Sequence, residues 1–431
     1  MDTVYTKGRT LMRARTTPSA GALYPLEVLV ACKGRSSGEH NVFLYDISER
    51  RLDFVRTVNT QVLAQLRPGE GEVPHAIVIV LGRPWKSMLK YGNRGYLYTR
   101  LDGAHATSNI ALSAMEAGLR PAVHLRFDRA LFAEALGLDG LCREPQALVT
   151  LMEPETVPDA ALPPLPEPKD TMLERPGVNE RRAWYQVSDV STCDTDPSLP
   201  PRLGPVVSIA EPAAEGDPVF PVPDSATPSI TDFRTTAVLR ASAKGFLPVA
   251  LDADAVARLL VRAGSSIPVD CADGEAISMR ALVRNVTGSP AGVHVYSPER
   301  RAAYRVGDGT VEGDAVVSAC MGQEVVRDCA LLIALYAPGA ALLGEEGRQR
   351  LAEYFFHAGS VAQRLCLAAA DLGLGITCLG GFDDSQVAEL VRLDPGEEVL
   401  YVLAVGTPDG AAVKWDRAPV AHSHQGVPPG T

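Results

Sequence analysis

The chain has 431 residues, 46% of them hydrophobic and 22% charged, and a formal net charge of −11 at pH 7. This is the composition of a globular protein that is long enough for two or three domains. The negative charge argues against a nucleic-acid-binding protein, which normally carries a basic surface. No stretch reaches 18 uninterrupted apolar residues, and the first 15 residues are too polar for a signal peptide, so we expect no association with a membrane. The eight cysteines form no C-x-x-C pair, which favours reduced cytoplasmic thiols over disulfides or a zinc site.

Residues 1–152 alternate predicted strands and helices. The strands are predicted at residues 26–31, 42–45, 76–81 and 147–152, and the helices at residues 95–117 and 129–136. Just before the first strand lies the turn Pro18-Ser19-Ala20-Gly21. Glycine and alanine allow the backbone to approach a flat ligand, and the Ser19 hydroxyl can donate or accept a hydrogen bond. An ordinary surface loop is the alternative interpretation of so short a motif.

The composition changes over residues 153–228, which hold about half of the 33 prolines. Proline at this density excludes long helices and central strands, so we predict a linker or a segment that wraps across the surface. A second alternating domain is predicted over residues 229–421, followed by a tail at residues 422–431. Its predicted helices cover residues 252–263, 346–371 and 385–391, and its predicted strands cover residues 281–285, 293–296, 330–336 and 400–405.

The two halves repeat each other in sequence. The segment Gly292–Tyr296 is similar to Asn41–Tyr45, and Phe382-Asp383 follows a Gly-Leu pair at the same spacing as Phe127-Asp128 does. We therefore predict an α+β fold of two tandem copies of one unit, which together mimic a homodimer within a single chain.

Four motifs resemble the FMN-dependent nitroreductases. They are Arg240-Ala241-Ser242-Ala243-Lys244-Gly245-Phe246, the Pro18–Gly21 turn, Lys90-Tyr91-Gly92-Asn93-Arg94, and Gly380-Gly381. The turn and the Lys-Tyr motif are similar to those of the azoline (SagB-type) dehydrogenases within that superfamily. The resemblance implies two nitroreductase-like domains, each with a central mixed or antiparallel sheet flanked by helices, and FMN bound where two copies meet.

The same resemblance implies a role for each motif. The residues implied in cofactor binding are Pro18, Ser19, Ala20, Gly21, Arg240, Ser242, Lys244, Gly380, Gly381, Lys414 and Arg417. Because Arg240, Ser242 and Lys244 alternate, they face one side of an extended segment, where charge-assisted bonds to a phosphate are strong. Without the resemblance, these residues would fit solvated charges at a helix start, and the glycine pair would fit a simple turn.

Catalysis is assigned to Lys90 and Tyr91. Oxidation of an azoline removes a proton from one ring carbon and a hydride from its neighbour, so a base must lie beside the ring. Tyrosine, with a pKa of about 10, needs a nearby cation to serve as that base near neutral pH. Lys90 can supply the cation or, if desolvated, act as the base itself. The alternative is a half-buried pair at a helix end with no catalytic role.

Each half keeps a different part of the site. The first half keeps the turn and Lys90-Tyr91, whereas Leu125-Arg126 stands in place of the glycine pair. The second half keeps the phosphate-binding and glycine motifs, whereas Cys271–Glu275 stands in place of the turn. One composite site therefore retains every part and its counterpart has lost nearly all of them, so we predict one FMN per chain.

These expectations combine into an FMN-dependent dehydrogenase that oxidises thiazolines or oxazolines of a precursor peptide to azoles and is reoxidised by O₂. A cyclodehydratase is the expected upstream partner. The alternatives are an FMN oxidase or desaturase acting on carrier-bound or amino-acyl substrates, an NAD(P)H-dependent nitroreductase, and a catalytically inactive scaffold of a peptide-modifying complex. We expect a cytoplasmic protein that is a monomeric pseudo-dimer or part of a higher assembly.

Overall fold

A computed structural model of the chain describes residues 3–7, 10–34, 38–47, 49–59, 74–139, 142–152, 167, 203–205, 220–221, 232–264, 267–270, 277–343 and 347–412. The chain divides into two compact units. The N-terminal unit comprises Leu23–Val206, Ile267–Asp273 and Pro419–Thr431, and the C-terminal unit comprises Met1–Ala22, Val207–Ser266 and Gly274–Ala418. Residues 1–22 thus belong to the C-terminal unit and residues 267–273 to the N-terminal unit, which the predicted boundaries do not include. No described helix is long and apolar enough to cross a membrane.

Strands and helices alternate along most of the described chain. The strands are β1 Thr3–Lys7, β2 Thr10–Ala14, β3 Leu26–Lys33, β4 Glu39–Asp46, β5 Arg51–Asn59, β6 Ala76–Gly82, β7 Arg120–His124, β8 Glu144–Met152, β9 Leu203–Pro205, β10 Phe220–Pro221, β11 Phe246–Leu247, β12 Pro268–Asp270, β13 Ser278–Val283, β14 Gly292–Ser297, β15 Ala302–Asp308, β16 Leu331–Pro338, β17 Gly375–Leu379 and β18 Glu397–Pro408. The α-helices are α1 Pro84–Tyr91, α2 Arg94–Glu116, α3 Arg129–Leu136, α4 Phe233–Leu239, α5 Ala253–Ala263, α6 Gly313–Ala319, α7 Gly339–Leu343, α8 Gly347–Asp371 and α9 Asp384–Leu390.

The N-terminal unit contains an eight-stranded sheet of order β5-β4-β3-β6-β8-β7-β12-β9. All seven residues of β6 are buried, as expected for an Ile/Val/Leu-rich strand at the centre of a sheet covered on both faces. Strand β12 follows the Pro-rich stretch in sequence and pairs in parallel with β7, and β9 pairs with its other edge. A segment distant in sequence thereby extends this sheet beside the end of β7.

The C-terminal unit contains a second sheet, of order β10-β15-β14-β13-β16-β18-β11, and β17 also pairs with β18. The long helix α8 is rich in alanine and leucine, and Ala358, Val361, Ala362 and Leu365 are completely buried. A helix that is apolar on several sides belongs in the interior of a protein, and α8 is the buried core helix of this unit.

The two units share one topology, which confirms the predicted tandem α+β fold. The order β5-β4-β3-β6-β8-β7 of the first corresponds to β15-β14-β13-β16-β18-β17 of the second, with antiparallel pairing throughout. The outer hairpins shift register at matching positions, between Val42 and Phe43 and between Val293 and His294. The second pair of residues aligns with the first in the sequence repeat, so the repeat extends to irregularities of the backbone.

The helices and strands predicted from hydrophobic periodicity are present, with ends displaced by only a few residues. The missed elements are short or mix polar and apolar residues, and β7, whose five residues include Pro121, is typical of them. Strands β9 and β10 arise within the Pro-rich stretch 153–228 and lie at sheet edges, where proline is tolerated.

Candidate functional site

In the C-terminal unit, the predicted phosphate-binding residues lie on an extended segment beside β17. Ser242 forms an isolated parallel bridge with Ile376, and the Ala243 amide donates to the Ile376 carbonyl oxygen at 2.8 Å. The Arg240 guanidinium donates to the Ser242 hydroxyl at 3.3 Å, as expected when alternate residues face one side. Lys244 follows with an exposed side chain. The fold thus brings Arg240 and Ser242 together in the predicted extended conformation.

Arg240 also joins this segment to the residues that precede the predicted flavin turn. Its Nε donates to the carbonyl oxygen of Thr16, and its Nη2 donates to that of Arg15 at 3.4 Å. These residues lie 224 and 225 positions away in sequence. Together with the bond to Ser242, these contacts use three of the five N–H groups of a guanidinium. Arg240 therefore positions the turn as well as contributing positive charge.

The Pro18–Gly21 turn itself has an unusual backbone. Gly21 has φ 61° and Ala22 has φ 56°, and the Ala22 amide donates to the Ser19 carbonyl oxygen at 3.0 Å. Glycine adopts this left-handed conformation freely, whereas for alanine it costs roughly 1–2 kcal/mol. Strained backbone of this kind concentrates at binding sites. The turn belongs to the same compact unit as Arg240 and Ser242.

Gly380 and Gly381 form the loop that follows β17. The side-chain amide of Gln323 donates to the Gly381 carbonyl oxygen at 2.7 Å and to that of Cys320 at 2.9 Å, which holds the loop in place. Gly381 does not have a left-handed φ, and a Cβ there would meet no described atom closer than 3.8 Å. The described part of the fold therefore does not require glycine at this position. Its missing side chain leaves backbone open to a ligand.

These features fit FMN. Ser242 lies beside Ile376, and Gly380 follows four residues later, about 13 Å along an extended strand. Hydroxyl and cationic groups therefore lie near one end of β17 and an open glycine loop at the other. This order suits an elongated cofactor with an anionic phosphate and a flat ring. Lys414 and Arg417, the other predicted phosphate ligands, lie outside the described residues.

The predicted catalytic pair, Lys90 and Tyr91, ends helix α1 of the N-terminal unit. The helix stops where Gly92 takes a φ of 60°. Nζ of Lys90 lies 5.1 Å from the centroid of the Tyr91 ring, and Tyr91 packs edge-on against Tyr98 with ring centroids 5.0 Å apart. Lys90 thus makes a cation–π contact with the Tyr91 ring, which holds its positive charge beside the phenol. The geometry is compatible with the proposed base, whose assignment stays a prediction.

Gly95, which the sequence analysis did not single out, determines how α1 packs on α2. A Cβ at Gly95 would lie 2.5 Å from the backbone nitrogen of Met88 and from the carbonyl carbon of Ser87. The two helices therefore touch through their backbones, one turn before Lys90 and Tyr91. This close approach depends on the absence of a side chain at Gly95.

Helix α2 is in turn held to β8 by a buried polar network. The Tyr96 hydroxyl donates to Glu144 Oε1 at 3.0 Å, and the Arg100 guanidinium binds both the Tyr96 oxygen and Glu144. Glu144 is fully buried, so the loss of either partner would leave a buried charge poorly compensated. This network fixes the N-terminal part of α2, on which α1 packs.

The counterpart of the glycine loop in the N-terminal unit is closed by Asp270, at the end of β12. Its Oδ1 accepts from the backbone amides of Leu125 and Arg126, and its Oδ2 lies 3.2 Å from Nδ1 of His124. The other ring nitrogen of His124 lies 3.0 Å from the Thr150 hydroxyl. Burial raises the pKa of Asp270, and its bonds from His124 and the two amides oppose that rise. Sequence reasoning attributed the loss of this site to Leu125-Arg126 and to Cys271–Glu275, and it missed Asp270. The segment Cys271–Glu275 lies outside the described residues.

Comparisons with known proteins show which family the chain resembles. Residues 285–407 match the Nitroreductase family model. This matched segment, which lies in the C-terminal unit, is therefore similar to the nitroreductase family. Members of this family are generally FMN-dependent oxidoreductases. The solved structure of a nitroreductase-like protein from Anabaena variabilis aligns with 94% of this chain and 85% of its own, with a TM-score of 0.76 and 23% identity. The nitroreductase-like fold thus extends over nearly the whole chain.

Two curated relatives match shorter stretches. The nitroreductase-like protein MJ1384 of Methanocaldococcus jannaschii is 32% identical over 110 residues, or 24% of this chain and 54% of that protein. The microcin B17-processing protein McbC of Escherichia coli is 31% identical over 134 residues, or 29% of this chain and 49% of that protein. The chain thus spans about half the length of the curated relatives it matches.

Proposed function

We propose that this protein is an FMN-dependent dehydrogenase that oxidises thiazolines or oxazolines of a modified peptide to azoles and is reoxidised by O₂. The observation that carries the proposal is the arrangement in the C-terminal unit, where Arg240 joins Ser242 to the strained turn and β17 leads from Ser242 to Gly380-Gly381. The similarity to McbC, a microcin B17-processing protein, favours a peptide substrate over a free nitroaromatic compound.

The chemistry divides between the cofactor and the chain. When bound, FMN would accept a hydride at N5 from one ring carbon of the azoline. Lys90 or Tyr91 removes the proton from the neighbouring ring carbon. The Lys90 ammonium, 5.1 Å from the Tyr91 ring centroid, stabilises a phenolate if Tyr91 is the base. One of the two residues is therefore the base, and the other supports it.

We infer one FMN per chain. The amides of Leu125 and Arg126, which correspond to the glycine loop, are occupied by the carboxylate of Asp270. A carboxylate at this position competes for the same donors as a flavin and repels negative charge on a reduced flavin. Flavin absorbance and protein concentration measured on the same sample should give a ratio near one. A saturated ratio of two would refute the single site.

The inferred partners follow from the substrate. Azolines arise when a cysteine, serine or threonine side chain cyclises onto the preceding peptide carbonyl with loss of water. A cyclodehydratase must therefore act before this protein, and the substrate is the cyclised precursor peptide. Such a pathway places the protein in the cytoplasm.

The deciding experiment is oxidation of a synthetic azoline-containing peptide by the purified, FMN-loaded protein in air. Each ring oxidised should lower the peptide mass by about 2 Da, the mass of the proton and hydride removed. A Lys90→Ala, Tyr91→Phe double variant that retains FMN should leave the peptide unchanged. If thiazoline and oxazoline peptides both stay intact while NAD(P)H rapidly bleaches the flavin, the protein is a nitroreductase of another kind and the proposal is wrong.

A further inference from the structure

Two cysteine thiols lie side by side in the C-terminal unit. Sγ of Cys366, on α8, is 3.5 Å from Sγ of Cys378, on β17, and neither thiol forms a disulfide. The two differ in access, because Cys366 is 1% exposed whereas Cys378 is partly exposed. A shift of about 1.5 Å, within reach of a side-chain rotation, would bring the sulfurs to the bonding distance of about 2.05 Å. This pair is separate from the residues assigned to cofactor binding and proton transfer.

The surroundings give the two thiols different roles. Hydrogen bonding to Cys378 and burial raise the pKa of Cys366, and the charge of Arg240 opposes this rise. Cys366 therefore keeps its proton and is a poor attacking nucleophile. The thiolate is the nucleophilic form of cysteine, and Cys378 is also the more accessible of the two. Cys378 thus fits an attacking thiol and Cys366 a resolving thiol.

The position of Cys378 relates the pair to the proposed site. Cys378 lies two residues before Gly380, in the strand that leads into the glycine loop. We propose that Cys366 and Cys378 form a peroxide-sensitive dithiol that closes to a disulfide beside the cofactor loop. This goes beyond the proposed function, although that function would itself produce hydrogen peroxide nearby whenever O₂ reoxidises the flavin.

The chemistry balances with hydrogen peroxide as the oxidant. The Cys378 thiolate attacks one peroxide oxygen, the O–O bond breaks, and Cys378 becomes a sulfenic acid as hydroxide leaves. The Cys366 sulfur then attacks the sulfur of the sulfenic acid, and the S–O bond breaks. The Cys366 proton and the departing hydroxyl form water. Overall, two thiols and one peroxide give one disulfide and two waters.

The test uses the purified full-length protein treated with added hydrogen peroxide, then unfolded in urea with N-ethylmaleimide present and digested with trypsin without reduction. Both cysteines lie in one tryptic peptide, Leu365–Arg392. We expect that peptide to lose about 2 Da and to lose both alkylation sites, and to regain them after reduction. Because the peroxide is added, the result does not depend on azoline oxidation.

Single variants distinguish the two roles. In Cys366→Ser, Cys378 should stop at a sulfenic acid that dimedone labels, whereas in Cys378→Ser the remaining thiol should stay alkylatable. Cys32→Ser, which removes another partly exposed thiol, is the matched control and should leave disulfide formation unchanged. Full alkylation of the wild-type peptide after peroxide treatment, oxidation without a disulfide, or prior oxidation of Cys366 in Cys378→Ser would each overturn the proposal.

Discussion

The contact between α1 and α2 at Gly95 connects the fold directly to the proposed catalytic pair. In Gly95→Ala, the new Cβ would lie 2.5 Å from backbone atoms of Ser87 and Met88, whereas ordinary contacts begin at 3.4 Å. Backbone cannot rotate away as a side chain can, so α1 must move by about 1 Å relative to α2. Lys90 and Tyr91 lie in the last turn of α1 and move with it.

The magnitude follows from this displacement. Overpacking costs typically about 1–3 kcal/mol, and replacing glycine by alanine within a helix returns about 1 kcal/mol, so the net loss of stability should be roughly 0–2 kcal/mol. A displacement of about 1 Å in a catalytic group lowers turnover on the order of 100-fold. We therefore expect kcat to fall far more than the free energy of unfolding. FMN content should not change, because the described cofactor residues belong to the C-terminal unit.

The assay is azoline oxidation under saturating substrate, with urea unfolding and flavin content measured on the same preparations. Gly103→Ala, in the same helix, is the control: it also gains helix propensity, but its Cβ would meet the side-chain amide of Gln146 rather than backbone of α1. That variant should keep kcat near the wild-type value. A stable, flavin-loaded Gly95→Ala protein with wild-type kcat would refute the reasoning.

Three further predictions address other parts of the molecule. Lys90→Ala and Tyr91→Phe should each leave FMN bound and lower kcat on the order of 100-fold or more, which is the effect of losing a general base. Normal turnover in both variants would show that the pair has no catalytic role. Gln323→Ala should weaken FMN binding, because the Gly381 carbonyl loses its donor at 2.7 Å. The control Gln386→Ala, at an exposed position, should bind FMN normally in the same fluorescence titration. Equal affinities of the two variants would exclude a role for Gln323. Burial raises the folded-state pKa of Asp270, so the folded protein binds this proton at a higher pH than the unfolded chain. As the pH falls from the pKa of folded Asp270 towards its pKa in the unfolded chain, the wild type should therefore gain stability relative to Asp270→Asn, by up to about 1.4 kcal/mol per pH unit. A difference in urea stability between the two proteins that is independent of pH would contradict this.

Local patterns account for most of what the sequence predicted correctly. The continuous apolar run of β6 and the alanine- and leucine-rich stretch of α8 are signals that residues close together in sequence supply. The alternation from Arg240 to Lys244 is equally local, and the extended conformation observed there agrees with it. The repeat was visible because both copies keep the same strand–helix order.

Short or mixed elements lacked such a signal. Strand β7 has five residues, and β12 has three, so neither is long enough to show a period. The parallel pairing of β12 with β7 depends on a crossover connection of more than a hundred residues, which no local pattern encodes.

The sequence by itself determined the two α+β repeats and the kinds of chemical group available to a flavin site. Only the tertiary structure decided that Asp270 occupies the Leu125 and Arg126 amides, that Arg240 holds the backbone at Thr16, and that the Cys366 and Cys378 sulfurs meet. The first two contacts join a side chain to backbone groups 144 to 224 residues away. Every residue except proline carries the same backbone amide and carbonyl, so the partners of Asp270 and Arg240 leave no mark in the sequence and become defined only when the chain folds.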